Sequence, residues 1–189
     1  MRLLFLLAIT ATAFAEDYPL GPDSKPQPSV PQGEVKKFTR ETSTIFPCTK
    51  HEWSLYIPKQ YDAAKPACAM VFFDGSGFAK PDGQFRIPVV FNNLIAKKEM
   101  PVTVAIFINP GTVPASEPGK AARACRSYEY DSMGDANARF VVEDIIPVVR
   151  KLVNLTDDPE GWGTGGTSSG AIAAFTLAWE KPEHFHKVI

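Results

Sequence analysis

Gly165-Gly166-Thr167-Ser168-Ser169-Gly170 is the stretch of this sequence whose residue types and spacing could do chemistry. Gly166-x-Ser168-x-Gly170 has the spacing of a nucleophile elbow, a strained strand-to-helix turn that lifts a serine hydroxyl off a sheet, with glycines where side chains would collide. At a helix start the hydroxyl also meets free N–H groups and the positive end of the helix dipole, which favour negative charge. Such a serine attacks a carbonyl carbon and carries the acyl group as a covalent intermediate. The spacing alone is weak evidence, because with glycine near ~7 % of residues it arises by chance in roughly one chain in fifteen of this length. Context strengthens it: the segment follows a predicted strand and opens the Ala-rich run from Ser169 to Glu180. A glycine-rich phosphate-binding turn is the competing reading. It lacks the G-x-x-x-x-G-K-[ST] pattern, and a dinucleotide fingerprint belongs to the first strand and helix of its fold rather than to one this late.

A nucleophilic serine needs an oxyanion hole, made by the N–H after the nucleophile, here Ser169, and by one from the loop after the third strand. Asp74-Gly75-Ser76-Gly77 stands in that place, with Gly75 and Ser76 as alternative donors; an ordinary tight turn is the other reading. The base should follow the serine in chain order, and the only later histidines are His184 and His186. A helix over Ser169 to Glu180 at ~1.5 Å per residue puts its far end roughly 17 Å from the elbow, whereas a base must come within about 3 Å. Neither histidine can serve, and both are expected at the opposite edge of the sheet. His51, in a predicted hairpin connection, has no better claim, and surface positions are expected for all three. The polar run Arg126-Ser127-Tyr128-Glu129-Tyr130-Asp131 falls where loops line the ligand crevice of an α/β sheet, so Arg126, Glu129 and Asp131 are candidates for the pocket wall. Alternatively Arg126 and Glu129 pair and hold the loop. A catalytic carboxylate is not expected here, because these residues precede the serine.

These groups need a sheet to position them. Cys68-Ala69-Met70-Val71-Phe72-Phe73 and Val102-Thr103-Val104-Ala105-Ile106-Phe107-Ile108 are apolar runs without alternation, the pattern of strands buried on both faces of a parallel sheet. Phe38 to Phe46 and Glu52 to Ile57 predict an antiparallel pair before them. Helices are predicted over Phe91 to Lys98, over Asn137 to Val153 with a kink at Pro147, and over Ser169 to Glu180. Asp144 interrupts the apolar stripe of the middle helix. Gly161 to Gly166 is the elbow strand by position, Lys187-Val188-Ile189 begins another, and the alternation predicts a right-handed, mostly parallel α/β sheet.

The chain's first segment has Arg2, the apolar run Leu3 to Ile9, and Ala13-Phe14-Ala15, the pattern of a secretory signal cleaved after Ala15. Residues 1–15 are therefore read as an export signal, 16–33 as an extended lead-in with five prolines, and 34–189 as the folded domain. The expected location is periplasmic or secreted, with no membrane span after cleavage. A net charge of -1 with mixed signs gives no footprint for nucleic acid. Cys48, Cys68 and Cys125 form no C-x-x-C pair, so no zinc site is expected; one disulfide with one thiol left over is possible after export. The pattern does not fix an oligomeric state.

The motifs together are more specific than the elbow. Ile45-Phe46-Pro47, Tyr56-Ile57-Pro58 with Tyr61-Asp62, Val71-Phe72-Phe73-Asp74-Gly75, Asn92-Asn93-Leu94-Ile95, Phe107-Ile108-Asn109-Pro110-Gly111, Arg126 to Asp131, and Ser168-Ser169-Gly170 leading to Ala178-Trp179-Glu180-Lys181-Pro182 resemble the Putative esterase family related to enterochelin (ferric enterobactin) esterase and esterase D. The resemblance runs from about Tyr18 to Ile189. It implies an α/β-hydrolase-type fold with helices on both faces of the sheet, Ser168 as nucleophile, hydrolysis of a small-molecule ester, and no metal or other cofactor. Members of that family continue through further strands to the acid and histidine, so the chain is expected to be an N-terminal part, ending after the elbow helix and inactive alone. The alternative from another class is a non-catalytic module binding a carbohydrate or siderophore.

Overall fold

A computed structural model describes residues 19–117 and 119–189; the predicted export segment, 1–15, lies outside the described residues. Glu34–Arg40 (β1) and His51–Ile57 (β2) pair antiparallel, from Glu34 opposite Ile57 to Arg40 opposite His51. β1 thus lies earlier than the predicted Phe38 to Phe46. Being an edge strand with most residues exposed, it carries no buried alternation to mark its ends. The chain after it turns instead, where Ser43 Oγ accepts the N–H groups of Ile45 and Phe46, each at 3.0 Å.

Cys68–Phe73 (β3) and Thr103–Ile108 (β4) pair parallel, and every residue of β4 is buried. Thr112–Val113 (β5) and Arg123–Ala124 (β6) form a separate short ribbon. Trp162–Gly165 (β7) and Lys187–Val188 (β8) extend the main sheet in parallel, giving the order β1-β2-β4-β3-β7-β8. Within this six-stranded sheet only the two pairings made by β2 are antiparallel.

Helices cover both faces, as two-faced burial requires. Gly75–Ala79 (α1) and Ile87–Lys97 (α2) lie over Tyr56, Phe72, Ala105 and Phe107. On the other face, Leu55, Val71, Phe73, Val104 and Ile106 pack beneath a helical layer that contributes Phe140, Val141, Ile145, Ala173, Ala174 and Leu177. Each Val, Leu, Ile or Phe side chain so removed from water contributes roughly 1.5–3 kcal/mol.

Before that layer comes Arg126–Tyr130 (α3). The predicted long helix is then three consecutive pieces: Ala136–Arg139 (α4), a π-helical segment Phe140–Ile145, and Ile146–Arg150 (α5). Pro147 has no N–H to give the preceding turn, and its ring would strike the carbonyl four residues back; the wider turn relieves both problems. Asp144 faces the core because it is held there, by Arg40 Nη2 and by the Ser43 hydroxyl, each donating at 2.6 Å. Ser169–Glu180 (α6) occupies the predicted span.

The described part of the lead-in docks on α2. Asn93 Nδ2 donates to the carbonyls of Asp23 and Lys25, both at 2.9 Å, and Asn92 Oδ1 accepts the Gly33 N–H at 2.9 Å. All three cysteines are free thiols, so the disulfide that composition allowed is not formed. No described helix is long and apolar enough to cross a membrane.

Candidate active site

β7 ends at Gly165, α6 begins at Ser169, and Ser168 stands exposed between them with φ 54° and ψ −128°. A side chain rarely adopts positive φ, and it persists only where its surroundings impose it. The surroundings here are tight. A Cβ on Gly166 would strike the carbonyl group of Gly170 and lie 2.9 Å from the Ala171 nitrogen. Only glycine lets the chain double back at that point. The first turn of α6 closes through Gly170 N–H to Thr167 O and Ala171 N–H to Ser168 O, both 2.9 Å. The Ser169 N–H has no acceptor among the described residues, as expected of a helix start.

Asp74-Gly75-Ser76 leaves β3 at the same carboxyl rim. Asp74 is itself left-handed, with φ 56° and ψ 40°. Ser76 donates its N–H to Asn109 Oδ1 at 2.9 Å, while the Gly75 N–H has no acceptor among the described residues. Of the two alternative donors, Gly75 is therefore the one uncommitted. In the sequence Asn109 stood out only as part of the motif Phe107 to Gly111. Gly75 also packs directly on β4: an added Cβ would lie 2.5 Å from the Ile108 nitrogen and 2.6 Å from Phe107 Cα. Backbone atoms cannot move aside, so Gly75→Ala is expected to destabilise the fold by about 1–3 kcal/mol or more. The check is urea unfolding, where the midpoint should fall with the slope unchanged.

Ser76 and Asn109 line an open groove of about 830 Å³ together with Trp53, Thr39, Lys37 and Lys80.

α3 braces this rim through three of its side chains. Arg126 forks onto Asp74, with Nε donating to Oδ1 at 2.8 Å and Nη2 to Oδ2 at 2.7 Å; these bonds raise the guanidinium pKa further. Glu129 is 3 % exposed and turned inward. His51 Nε2 lies 3.1 and 3.2 Å from its two oxygens, and the Gly111 N–H donates to Oε2 at 2.9 Å. Tyr130 donates its hydroxyl to Ile108 O at 3.2 Å and accepts the Asp74 N–H at 3.4 Å; burial pushes its phenol pKa far up, so it stays neutral. Asp131 is exposed at the end of α3.

Two expectations change here. Arg126 does not pair with Glu129, because each reaches a partner far away in the chain. His51 is not a surface residue: it is fully buried, with Phe140 4.2 Å and Phe46 6.0 Å from its ring centre. The partners of both pairs come from other elements, which local spacing does not reveal.

The late histidines lie where the length of α6 puts them. His186 Nδ1 is 2.7 Å from Glu160, which precedes β7 at the amino rim, and with Lys187 it holds the Glu160 carboxyl down at about 2. His184 is exposed, and its nearest carboxylate is the neighbouring Glu183 at 3.8 Å. Among the described residues no three His, Cys, Asp or Glu cluster as a metal site would need.

A family model described as Putative esterase matches residues 47–189. No curated protein matches by sequence. The ferric enterobactin esterase of Salmonella typhimurium superposes with a TM-score of 0.69 at 18 % identity, over 92 % of this chain and 39 % of its own. A ferulic acid esterase from the anaerobic fungus Anaeromyces mucronatus gives 0.67 at 15 % identity, over 88 % and 61 %. The feruloyl esterase module of Clostridium thermocellum, complexed with sinapinate, gives 0.62 at 14 %, over 90 % and 57 %. These identities show likeness of fold. The chain spans 61 % or less of the length of each of these structures.

Proposed function

Because the chain belongs to the Putative esterase family, matched over residues 47–189, we propose that it hydrolyses a small-molecule carboxylic ester through an acyl-enzyme on Ser168. The observation that carries this reading is the backbone of Ser168, held at φ 54° and exposed at the carboxyl rim between β7 and the start of α6. The serine oxygen attacks the carbonyl carbon, and the C=O electrons move onto the oxygen. The free N–H groups of Ser169 and Gly75, with the positive end of α6, then face that charge. Collapse of the intermediate expels the alcohol and leaves the acyl group on Ser168, to be released by water. The groove lined by Ser76 and Asn109 offers room for the rest of the substrate.

Both steps need a base. His51 is committed to Glu129, and His184 and His186 lie away from the elbow, so none of the chain's histidines is placed to act. On this reading the base and its orienting acid lie outside residues 1–189, and these residues alone do not turn over substrate. The same observation favours a second reading, a module that keeps the fold and binds a carbohydrate or siderophore without cleaving it. The proposed place of action is outside the cytoplasm, from Arg2, the run Leu3 to Ile9 and Ala13-Phe14-Ala15.

A fluorophosphonate decides between them. Expressed with whatever follows Ile189 in its gene, the protein is expected to take one phosphonyl group, located by peptide mass mapping on Ser168. An adduct on another serine, or none in protein that hydrolyses p-nitrophenyl acetate, refutes the assignment. Protein that neither hydrolyses nor labels is the binding module.

A further inference from the structure

The reading of Ser168 as nucleophile creates an electrostatic problem. The fold sets a carboxylate beside the groups that would receive negative charge. Asp74 immediately precedes Gly75, the uncommitted donor, and its carboxylate reaches across to the first turn of α6: a Cβ placed on Gly170 would lie 2.9 Å from Oδ2. Gly170 follows Ser169, whose N–H is the second donor. Asp74 thus touches both halves of the oxyanion site. A bare carboxylate there would oppose an oxyanion a few ångströms away, in a partly desolvated rim where charges act strongly.

The carboxylate is not bare. Both of its oxygens are taken by the Arg126 fork at 2.8 and 2.7 Å, the planar geometry that suits guanidinium and leaves the pair neutral overall. The same loop is fixed by Tyr130 through the Asp74 N–H, and α3 is anchored by the buried Glu129. We propose that Arg126 is a positioning residue for the ester hydrolysis, acting through Asp74: it cancels the carboxylate charge at the oxyanion site and holds the left-handed turn that aims the Gly75 N–H. This goes beyond lining a pocket, because the substrate need not touch Arg126 at all.

The proposal rests on the Ser168 reading and separates from it by charge compensation. kcat and KM for p-nitrophenyl acetate are measured on the same gene product as above, for R126Q, D74N and the double variant. R126Q is expected to lose about 10²-fold in kcat with KM within about 2-fold, the scale of removing one oxyanion donor. D74N gives up one of the two fork bonds but also removes the charge that needed cancelling, so its loss should be clearly smaller than that of R126Q, and combined with R126Q it should restore at least ~10-fold of the lost rate. A double variant no faster than R126Q, a D74N loss as large as that of R126Q, or a loss confined to KM overturns the proposal. Should R126Q fail to fold, R126K keeps the test: a point charge without the fork should fall between parent and D74N/R126Q, and full parental activity refutes the role of the fork. A phosphonate adduct on Ser168 without compensation defeats this inference alone, whereas no adduct in an active enzyme defeats the nucleophile reading beneath it.

Discussion

Replacing Ser168 by alanine is expected to lower kcat for ester hydrolysis by about 10⁶ and to leave KM near its parental value. The hydroxyl is the bond-forming atom, so its removal leaves no route to an acyl-enzyme. The rest of the site is untouched: Ser169 and Gly75 keep their free N–H groups, and the groove at Ser76 and Asn109 keeps its shape. A residual rate of about 10³–10⁴ over water is therefore expected, from donors that still polarise a bound carbonyl toward attack by solvent. Initial rates with p-nitrophenyl acetate, with active-site titration of the parent, measure both quantities. A variant retaining more than about a hundredth of parental kcat would mean that another group makes the covalent bond.

The second large effect is on stability. Glu129→Ala is expected to cost about 3–5 kcal/mol, because it strips the partner from a buried, hydrogen-bonded pair. His51 is 0 % exposed and stacked 4.2 Å from Phe140, so its Nε2 proton would face a cavity that no water reaches easily. The Gly111 N–H would lose its acceptor as well. Glu129 joins α3 to β2 through His51 and to the segment after β4 through Gly111, so three elements loosen together. For a domain of this size the loss is a fall of roughly 6–20 °C in melting temperature, since 1 kcal/mol is worth about 2–4 °C. Glu129→Gln should cost less, as its remaining oxygen still accepts one of the two bonds. Calorimetry decides: an alanine variant melting within a degree or two of the parent would mean that the pair is redundant.

What could be read from the sequence was what is local. β3, β4 and α6 stand where their patterns put them, because two-sided apolar runs and an Ala-rich run behind a glycine turn need no distant partner to be recognised. The elbow strand was placed by position more than by propensity; Trp162–Gly165 contains two glycines and one β-branched residue, and it is a strand because β3 and β8 hold it on both sides. β1 slipped because an exposed edge imposes no alternation. The π-helical turn escaped notice since its residues keep nearly the same stripe, and only Pro147 hinted at a break. At the site, the flanking glycines were legible, but the bracing of the rim was not. His51 and Glu129 are 78 positions apart, and Arg126 and Asp74 are 52, separations at which spacing carries no information.

The strand order also fixes when the nucleophile can come into being. β1 and β2 are joined by residues 41–50, and β3, α2 and β4 follow one another along the chain, so these pieces close comparatively small loops. β7 must find β3, with Trp162 opposite Ala69, across everything made in between. Loop closure over that span costs entropy before any contact returns it, and nascent chains fold from the amino end. A growing polypeptide can therefore assemble four of the six strands of its sheet before residue 168 acquires its bent backbone.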